Sequence, residues 1–162
     1  MDTAAPKTPV RLALPADRDA LRAMCIMLHE ENGLFPLNHE KLEIALGRYF
    51  KRDGAIIGVI GPEGAPVASI YIAITQFFYT NAWTLMEEWA FVMPDHRRTT
   101  YAQDLIAYAK GVSDAMTLPL ITGILSGKRT EAKVRLYDRM MERVGGYFMH
   151  GREHIIASAW SD

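Results

Sequence analysis

Arg97 and Arg98 stand side by side between an apolar run that stops at Pro94 and a helical pattern that opens at Thr100. Guanidinium groups at such a junction can hold an anion. The first N–H groups of a helix lack partners within it, and the helix dipole adds partial positive charge at the same end. Arginines add bidentate, charge-assisted donors. Asp95-His96-Arg97-Arg98-Thr99 therefore reads as a local phosphate or diphosphate site in a chain whose formal net charge is -1.

Other chemistry-bearing groups carry less. Of His29, His39, His96, His150 and His154, only His150 and His154 are spaced i,i+4, and they flank a turn and share no helix face, so no metal site is expected. Gly123-Ile124-Leu125-Ser126-Gly127-Lys128-Arg129-Thr130 follows a strand pattern and opens a helical one, as a nucleotide-binding P-loop does. Its glycines are one residue too close, and Arg129 separates Lys128 from Thr130, which misplaces both the backbone cradle and the metal-binding hydroxyl. Lys128 or Arg129 can instead reach toward phosphates. Cys25 is the single cysteine, so one chain builds neither a disulfide framework nor a cysteine-rich metal site.

The elements that position these groups follow from periodicity. Val10 to Leu14 reads as a short strand, and Pro15-Ala16-Asp17 stops it and offers an acidic cap to a helix from Arg18. Leu21, Met24, Cys25 and Leu28 share one face of that helix until Asn32-Gly33 ends it. Asn38 caps a second helix with apolar positions Leu42, Ala45, Leu46, Tyr49 and Phe50, which Asp53-Gly54 closes. Ala55 to Ile60 and Pro66 to Ile74 form an antiparallel hairpin across Gly61-Pro62-Glu63-Gly64. A strand over Ala82 to Val92 precedes a helix over Thr100 to Met116, then a strand over Leu118 to Leu125 and a helix from Lys128 to Val144. Tyr147 to His150 and His154 to Trp160 read as closing strands. The strands before and after the Thr100 helix are joined by one right-handed crossover and are expected parallel, so the sheet is mixed.

Length and composition bound the function. The 162 residues suit one domain, with Met1 to Pro9 as a flexible tail holding no apolar stretch able to act as a signal peptide, and 10–162 as a single domain. An estimated pI of 6.5 gives no electrostatic case for nucleic acid or an anionic membrane surface. No run approaches the ~18 apolar residues of a membrane-spanning helix. A soluble cytoplasmic protein is expected, and exposed apolar residues in the last strands would suit a homodimer.

Arg97-Arg98-Thr99-Thr100-Tyr101-Ala102 resembles the signature Arg/Gln-x-x-Gly-x-Gly/Ala of the GCN5-related N-acetyltransferase (GNAT) family, with Thr100 in place of the first glycine. Val92, Pro94 and Arg97 match that family's Val-x-Pro-x-x-Arg arrangement, and the order of elements agrees over Val10 to Phe148. The resemblance implies an α/β three-layer α-β-α fold with a central mixed, mostly antiparallel sheet and one splayed parallel strand pair. It implies acetyl-CoA as cofactor, its diphosphate at Arg97, Arg98, Thr99, Thr100, Tyr101 and Ala102. Pantetheine would pair with main-chain groups of Phe91, Val92 and Met93, leaving the thioester near Ala90 to Val92. The Cβ of Thr100 would crowd that diphosphate, while its hydroxyl could add a hydrogen bond.

The implied reaction is transfer of an acetyl group to a primary amine by direct attack in a ternary complex. It needs a proton removed from the amine and one given to the departing thiolate. Two-residue alternation puts Glu88, Ala90 and Val92 on one face and Glu87 on the other, which makes Glu88 the expected base, directly or through water. A bulge would transfer that role to Glu87. Glu88 could also simply order a cationic substrate. Tyr137, in Leu136-Tyr137, resembles the family's thiolate-protonating tyrosine, though Gly145-Gly146 follows later than the family's glycine and Thr130 replaces its asparagine. Val134, Tyr137, Met141 and Val144 share a helical face, so a core tyrosine would look the same. Glu31, Phe35 and Tyr71 are candidates to line the acceptor site, for a small molecule or a peptide alike. A non-catalytic acyl-CoA-binding sensor or interaction module on the same fold is the alternative.

Overall fold

The structure is a computed structural model that describes residues 6–155. Five strands, β1 (Arg11–Leu12), β2 (Ala55–Ile60), β3 (Ala68–Thr75), β4 (Thr84–Val92) and β5 (Leu120–Ile121), form one sheet in sequence order. β1 to β4 pair antiparallel and β4 pairs with β5 in parallel, as the single crossover requires. Among the described residues four α-helices cover the faces: α1 (Arg18–Asn32), α2 (His39–Phe50), α3 (Tyr101–Met116) and α4 (Thr130–Met140).

β3 is the centre of both cores because it is flanked on each side. Tyr71 and Ala73 point to one face, where they pack with Leu21 of α1, Leu42 and Leu46 of α2, and Trp89. Ile70 and Ile72 point to the other, with Leu85, and with Leu105 and Ala109 of α3. This alternation builds the three layers, with α1 and α2 on one side and α3 on the other. The C-terminal end of α4 is tied to α3 by Lys110, whose Nζ donates to the Met140 carbonyl at 3.1 Å. Among the described residues no helix is long and apolar enough to cross a membrane.

Local signals explain the helix ends. The Lys41 N–H donates to Asn38 Oδ1 at 2.9 Å, so Asn38 caps α2 as its type and position predict. Asp17 stands at the N-cap of α1, but its side chain accepts no hydrogen bond from that helix and turns to other partners, which corrects the expected cap. Its buried carboxylate accepts from the Leu14 N–H at 2.7 Å, the Gly64 N–H at 2.8 Å and both terminal nitrogens of Arg11 at 2.7 and 3.0 Å. Burial pushes its pKa up, but Arg11 and the two N–H donors outweigh that and bring it down to about 2. The Lys7 N–H donates to Asp104 Oδ1 at 2.8 Å, so the end of the N-terminal segment is docked against α3.

Three element expectations are corrected. The strand expected over Leu118 to Leu125 is regular only at Leu120–Ile121, because the chain turns away from β4 and the apolar Ile124 and Leu125 line a cleft and do not pair. The last helix runs only over Thr130–Met140: Arg129 before it is left-handed at φ 54, and Met141 after it is extended. Tyr147 to His150 is no strand; the Tyr147 ring lies against Gly123, where an added Cβ would sit 2.8 Å from Cε2, and Phe148 is fully exposed. Of the other closing strand, His154 ends a short 3-10 turn (Arg152–His154) and 156–160 lies outside the described residues.

Candidate active site

β4 and β5 pair only at Leu85 with Leu120 and Met86 with Ile121, then part. Among the described residues, no strand faces the β5-side edge of β4 from Glu87 to Val92, since β5 pairs with it only at Leu85 and Met86. The opening is a cleft of about 320 Å³, walled by β4 on one side and by the segment from Gly123 to Ser126 with α4 on the other. Strand groups released from a ladder must find other partners, which makes such a wedge receptive to a ligand carrying amides.

One end of the wedge is the loop between β4 and α3. Pro94–His96 forms a 3-10 turn, and among the described residues no backbone carbonyl accepts from the N–H groups of Arg98, Thr100, Ala102 or Gln103. These donors sit at the start of a 16-residue helix, the arrangement that binds anions. Thr100 has φ -83 and ψ 2, an ordinary backbone for any residue, so no glycine is required there. Its hydroxyl is already engaged, donating to Asp104 Oδ2 at 2.8 Å. Asp104 is buried, so Thr100→Gly is expected to destabilise the fold by ~1–2 kcal/mol, while Thr100→Ser stays near wild type. Urea unfolding of both variants checks this; equal stabilities would show that the contact contributes nothing.

The other end holds two groups brought together across 50 residues. Tyr137 Oη donates to the Glu87 carboxylate, 2.8 Å from Oε1 and 2.7 Å from Oε2. Lys133 and Tyr137, one helical turn apart, face the cleft from α4 together with Leu136. Burial pushes the Glu87 carboxyl up to about 7, against the lowering effect of the Tyr137 hydrogen bond. Burial first, and then the charge and hydrogen bond of Glu87, raise the Tyr137 phenol well above its usual value.

The parity expected for β4 is corrected. Tyr71 faces Trp89 while Ile72 faces Glu87, so Glu88 is an extra residue in a bulge. Cross-strand partners share a face, and Ile70 opposite Ala90 lies on the same face as Ile72 opposite Glu87. Glu87, not Glu88, therefore shares a face with Ala90. Glu88 is exposed at the cleft margin.

The remaining expected site residues separate into two groups. Phe91, Val92, Arg97, Thr99, Ala102 and Glu31 line the cleft with Glu87, Glu88 and Tyr137; Met93, Arg98, Thr100 and Tyr101 belong to the loop and helix start but not to its lining. Phe35 is half-exposed outside the lining, its carbonyl bonded to His29 Nε2. Tyr71 is buried against Trp89, with ring centroids 4.6 Å apart, and its hydroxyl donates to the Ala45 carbonyl at 3.1 Å. Sequence reasoning missed Asn32 and Lys133 in the lining; the helical spacing of Lys133, Leu136 and Tyr137 was the available signal for the second.

No protein-family model matches the chain, and no curated protein matches it. Solved structures do. A possible acetyltransferase from Clostridium difficile 630 is similar with a TM-score of 0.69 at 18% identity, over 88% of this chain and 94% of that one. A GNAT family acetyltransferase from Staphylococcus aureus is similar with a TM-score of 0.58 at 15% identity, over 88% and 97%. The chain has the GNAT fold. AAC(6')-Iy, whose structure holds the bisubstrate analog CoA-S-monomethyl-acetylneamine, shares the GNAT fold with this chain at a TM-score of 0.62 and 16% identity, over 88% and 97%.

Proposed function

We propose that the chain is a GNAT-family N-acetyltransferase that moves an acetyl group from acetyl-CoA to a primary amine. The observation that carries the reading is the wedge itself. A strand edge unpaired among the described residues leads from a cluster of free N–H donors beside two arginines to a half-buried carboxyl–phenol pair. Two solved structures that share the fold support it, a possible acetyltransferase and AAC(6')-Iy, the latter holding a CoA-based bisubstrate analog.

The residues present fit that cofactor. The N–H groups of Arg98, Thr100, Ala102 and Gln103, with Arg97 and Arg98, would hold the diphosphate, and the main chain of Phe91 and Val92 would pair with the pantetheine amides; Met93 is less suited, because its N–H donates to the Val67 carbonyl and its carbonyl accepts from the His96 N–H, both at 2.9 Å. Tyr101 and Thr99 shape that loop, the Tyr101 N–H donating to Thr99 Oγ1 at 3.2 Å. Bound acetyl-CoA supplies an activated acetyl group as a thioester.

Glu87 is the better base of the two carboxylates. A group titrating near 7 is both available as carboxylate and basic enough to take a proton from an amine at neutral pH. Tyr137, held neutral by its raised pKa, delivers a proton toward the sulfur and recovers one from Glu87 along their hydrogen bond. The pair thus passes one proton from the nitrogen side to the sulfur side. Glu88, exposed at the cleft margin, orders a cationic acceptor, a small molecule or a peptide amine.

Turnover of acetyl-CoA over a panel of small-molecule and peptide amines tests the reading. Tyr137→Phe is expected to lower kcat roughly 10²-fold or more with KM for acetyl-CoA little changed. Binding of acetyl-CoA with no turnover on any amine would favour the non-catalytic binding module instead.

A further inference from the structure

The guanidinium of Arg97 is already occupied. Nη2 donates to Glu31 Oε1 at 2.9 Å and Oε2 at 2.6 Å, Nε donates to the Val92 carbonyl at 3.1 Å, and the group lies 5.4 Å from the Phe91 ring centroid. Arg97 and Glu31 are 66 residues apart in sequence, their side chains keep 31% and 30% of their exposure, and the pair joins the end of α1 to the loop after β4. The next residue of α1 holds the opposite lip. Asn32 Oδ1 accepts from Lys133 Nζ at 2.8 Å and from Ser126 Oγ at 3.2 Å, and the Asn32 carbonyl accepts from the Gly127 N–H at 2.9 Å. The last two residues of α1 therefore span the wedge, Glu31 tied to the β4 side and Asn32 to the α4 side.

We propose that Glu31 and Asn32 form a clasp across the cleft, in which Glu31 competes with the CoA diphosphate for Arg97 and must release it when the cofactor enters. This rests on the assignment of the diphosphate to the loop between β4 and α3. A carboxylate and a diphosphate are both oxyanions suited to the same planar fork of donors, and one terminal nitrogen cannot serve both at full strength. Exchange of one for the other keeps Arg97 paired throughout. It also frees the Glu31 carboxylate within the cleft, where a cationic acceptor can use it. The Asn32 arm involves no cofactor-binding arginine, so it keeps the end of α1 attached while the Glu31 arm opens.

Calorimetric titration of CoA and of pantetheine, which lacks the diphosphate, into wild type and Glu31→Gln tests the clasp. Removing the competing charge is expected to tighten CoA about fivefold to tenfold and leave pantetheine unchanged. The same substitution in an Arg97→Gln background separates competition from a general charge effect, because there it should no longer tighten CoA. Equal CoA affinity in wild type and Glu31→Gln overturns the clasp, as does weaker binding, and so does tightening that persists without Arg97. Absence of CoA binding by wild type and variant alike overturns the cofactor assignment, and this proposal with it. Thermal unfolding of each variant without ligand confirms that titrations compare folded proteins.

Discussion

Glu87→Gln is expected to lower kcat for acetyl transfer by roughly 10²–10³-fold, the range of a positioned general base. Glutamine keeps the shape and can still accept from the Tyr137 hydroxyl, so the loss reports the proton and not the packing. The pH profile sharpens the test. A base titrating at about 7 makes the wild-type rate rise between pH 6 and 8, and Glu87→Gln should lose that inflection. The mirrored stability effect has a defined sign. Because the folded-state pKa is raised above the ordinary 4.5, the folded protein retains a proton that the unfolded chain releases. The stability tied to that proton is present below about 4.5 and is lost as pH rises through about 7, by roughly 3 kcal/mol in total. Urea unfolding at pH 5 and pH 8 should therefore show a fall for wild type that Glu87→Gln lacks. An unchanged rate profile in the variant would remove Glu87 from the reaction.

Asp17→Asn is expected to cost ~3 kcal/mol of stability at neutral pH. The substitution leaves Arg11 without its carboxylate and turns an acceptor of two N–H groups into a side chain whose amide end repels one of them. Four parts of the fold meet there: β1, the Pro15–Asp17 turn, the start of α1 and the β2–β3 turn. The linkage runs opposite to that of Glu87. With the folded pKa lowered to about 2, the contribution is present above the ordinary 3.8 and is lost as pH falls through about 2, by about 2 kcal/mol. Urea unfolding at pH 7 and pH 3 should show the difference between wild type and Asp17→Asn shrinking in acid. A constant difference would mean that the charge of Asp17 is not what stabilises the junction.

Much of this architecture was legible in the sequence. The apolar periods of α1, α2 and α3, and the Gly-Pro-Glu-Gly turn between β2 and β3, are local signals that tertiary packing reinforces. The loop between β4 and α3, the proposed anion site, was placed for the same reason, since strand end, Pro94, paired arginines and helix start are neighbours in sequence. What failed was set by distant partners. Leu118 to Leu125 is apolar throughout, but Ile124 and Leu125 are apolar because they wall a cleft, and periodicity cannot tell that from strand pairing. The Tyr147 to His150 segment has strand-like aromatic content, yet Tyr147 covers Gly123 and Phe148 meets solvent.

The same limit governs the site. Alternation assigns Glu87 and Glu88 to opposite faces, but a one-residue bulge opposite Tyr71 and Ile72 exchanges them, and nothing within β4 itself announces it. Asp17 was expected to cap α1; its side chain instead pairs with Arg11 and accepts from the Leu14 and Gly64 N–H groups, which only the fold brings to it. Glu31 was readable as a carboxylate near the cleft, whereas its hold on Arg97 depends on how α1 crosses the sheet.

Calorimetric titration of acetyl-CoA into the purified chain tests the central claim most directly, that the wedge between β4 and β5 is a CoA site. Stoichiometric binding is expected, weakening about tenfold or more in Arg97→Ala/Arg98→Ala and falling with added salt, as charge-assisted diphosphate contacts require. No binding heat from the wild-type protein, with its fold verified by circular dichroism, would mean that the wedge is not a CoA site.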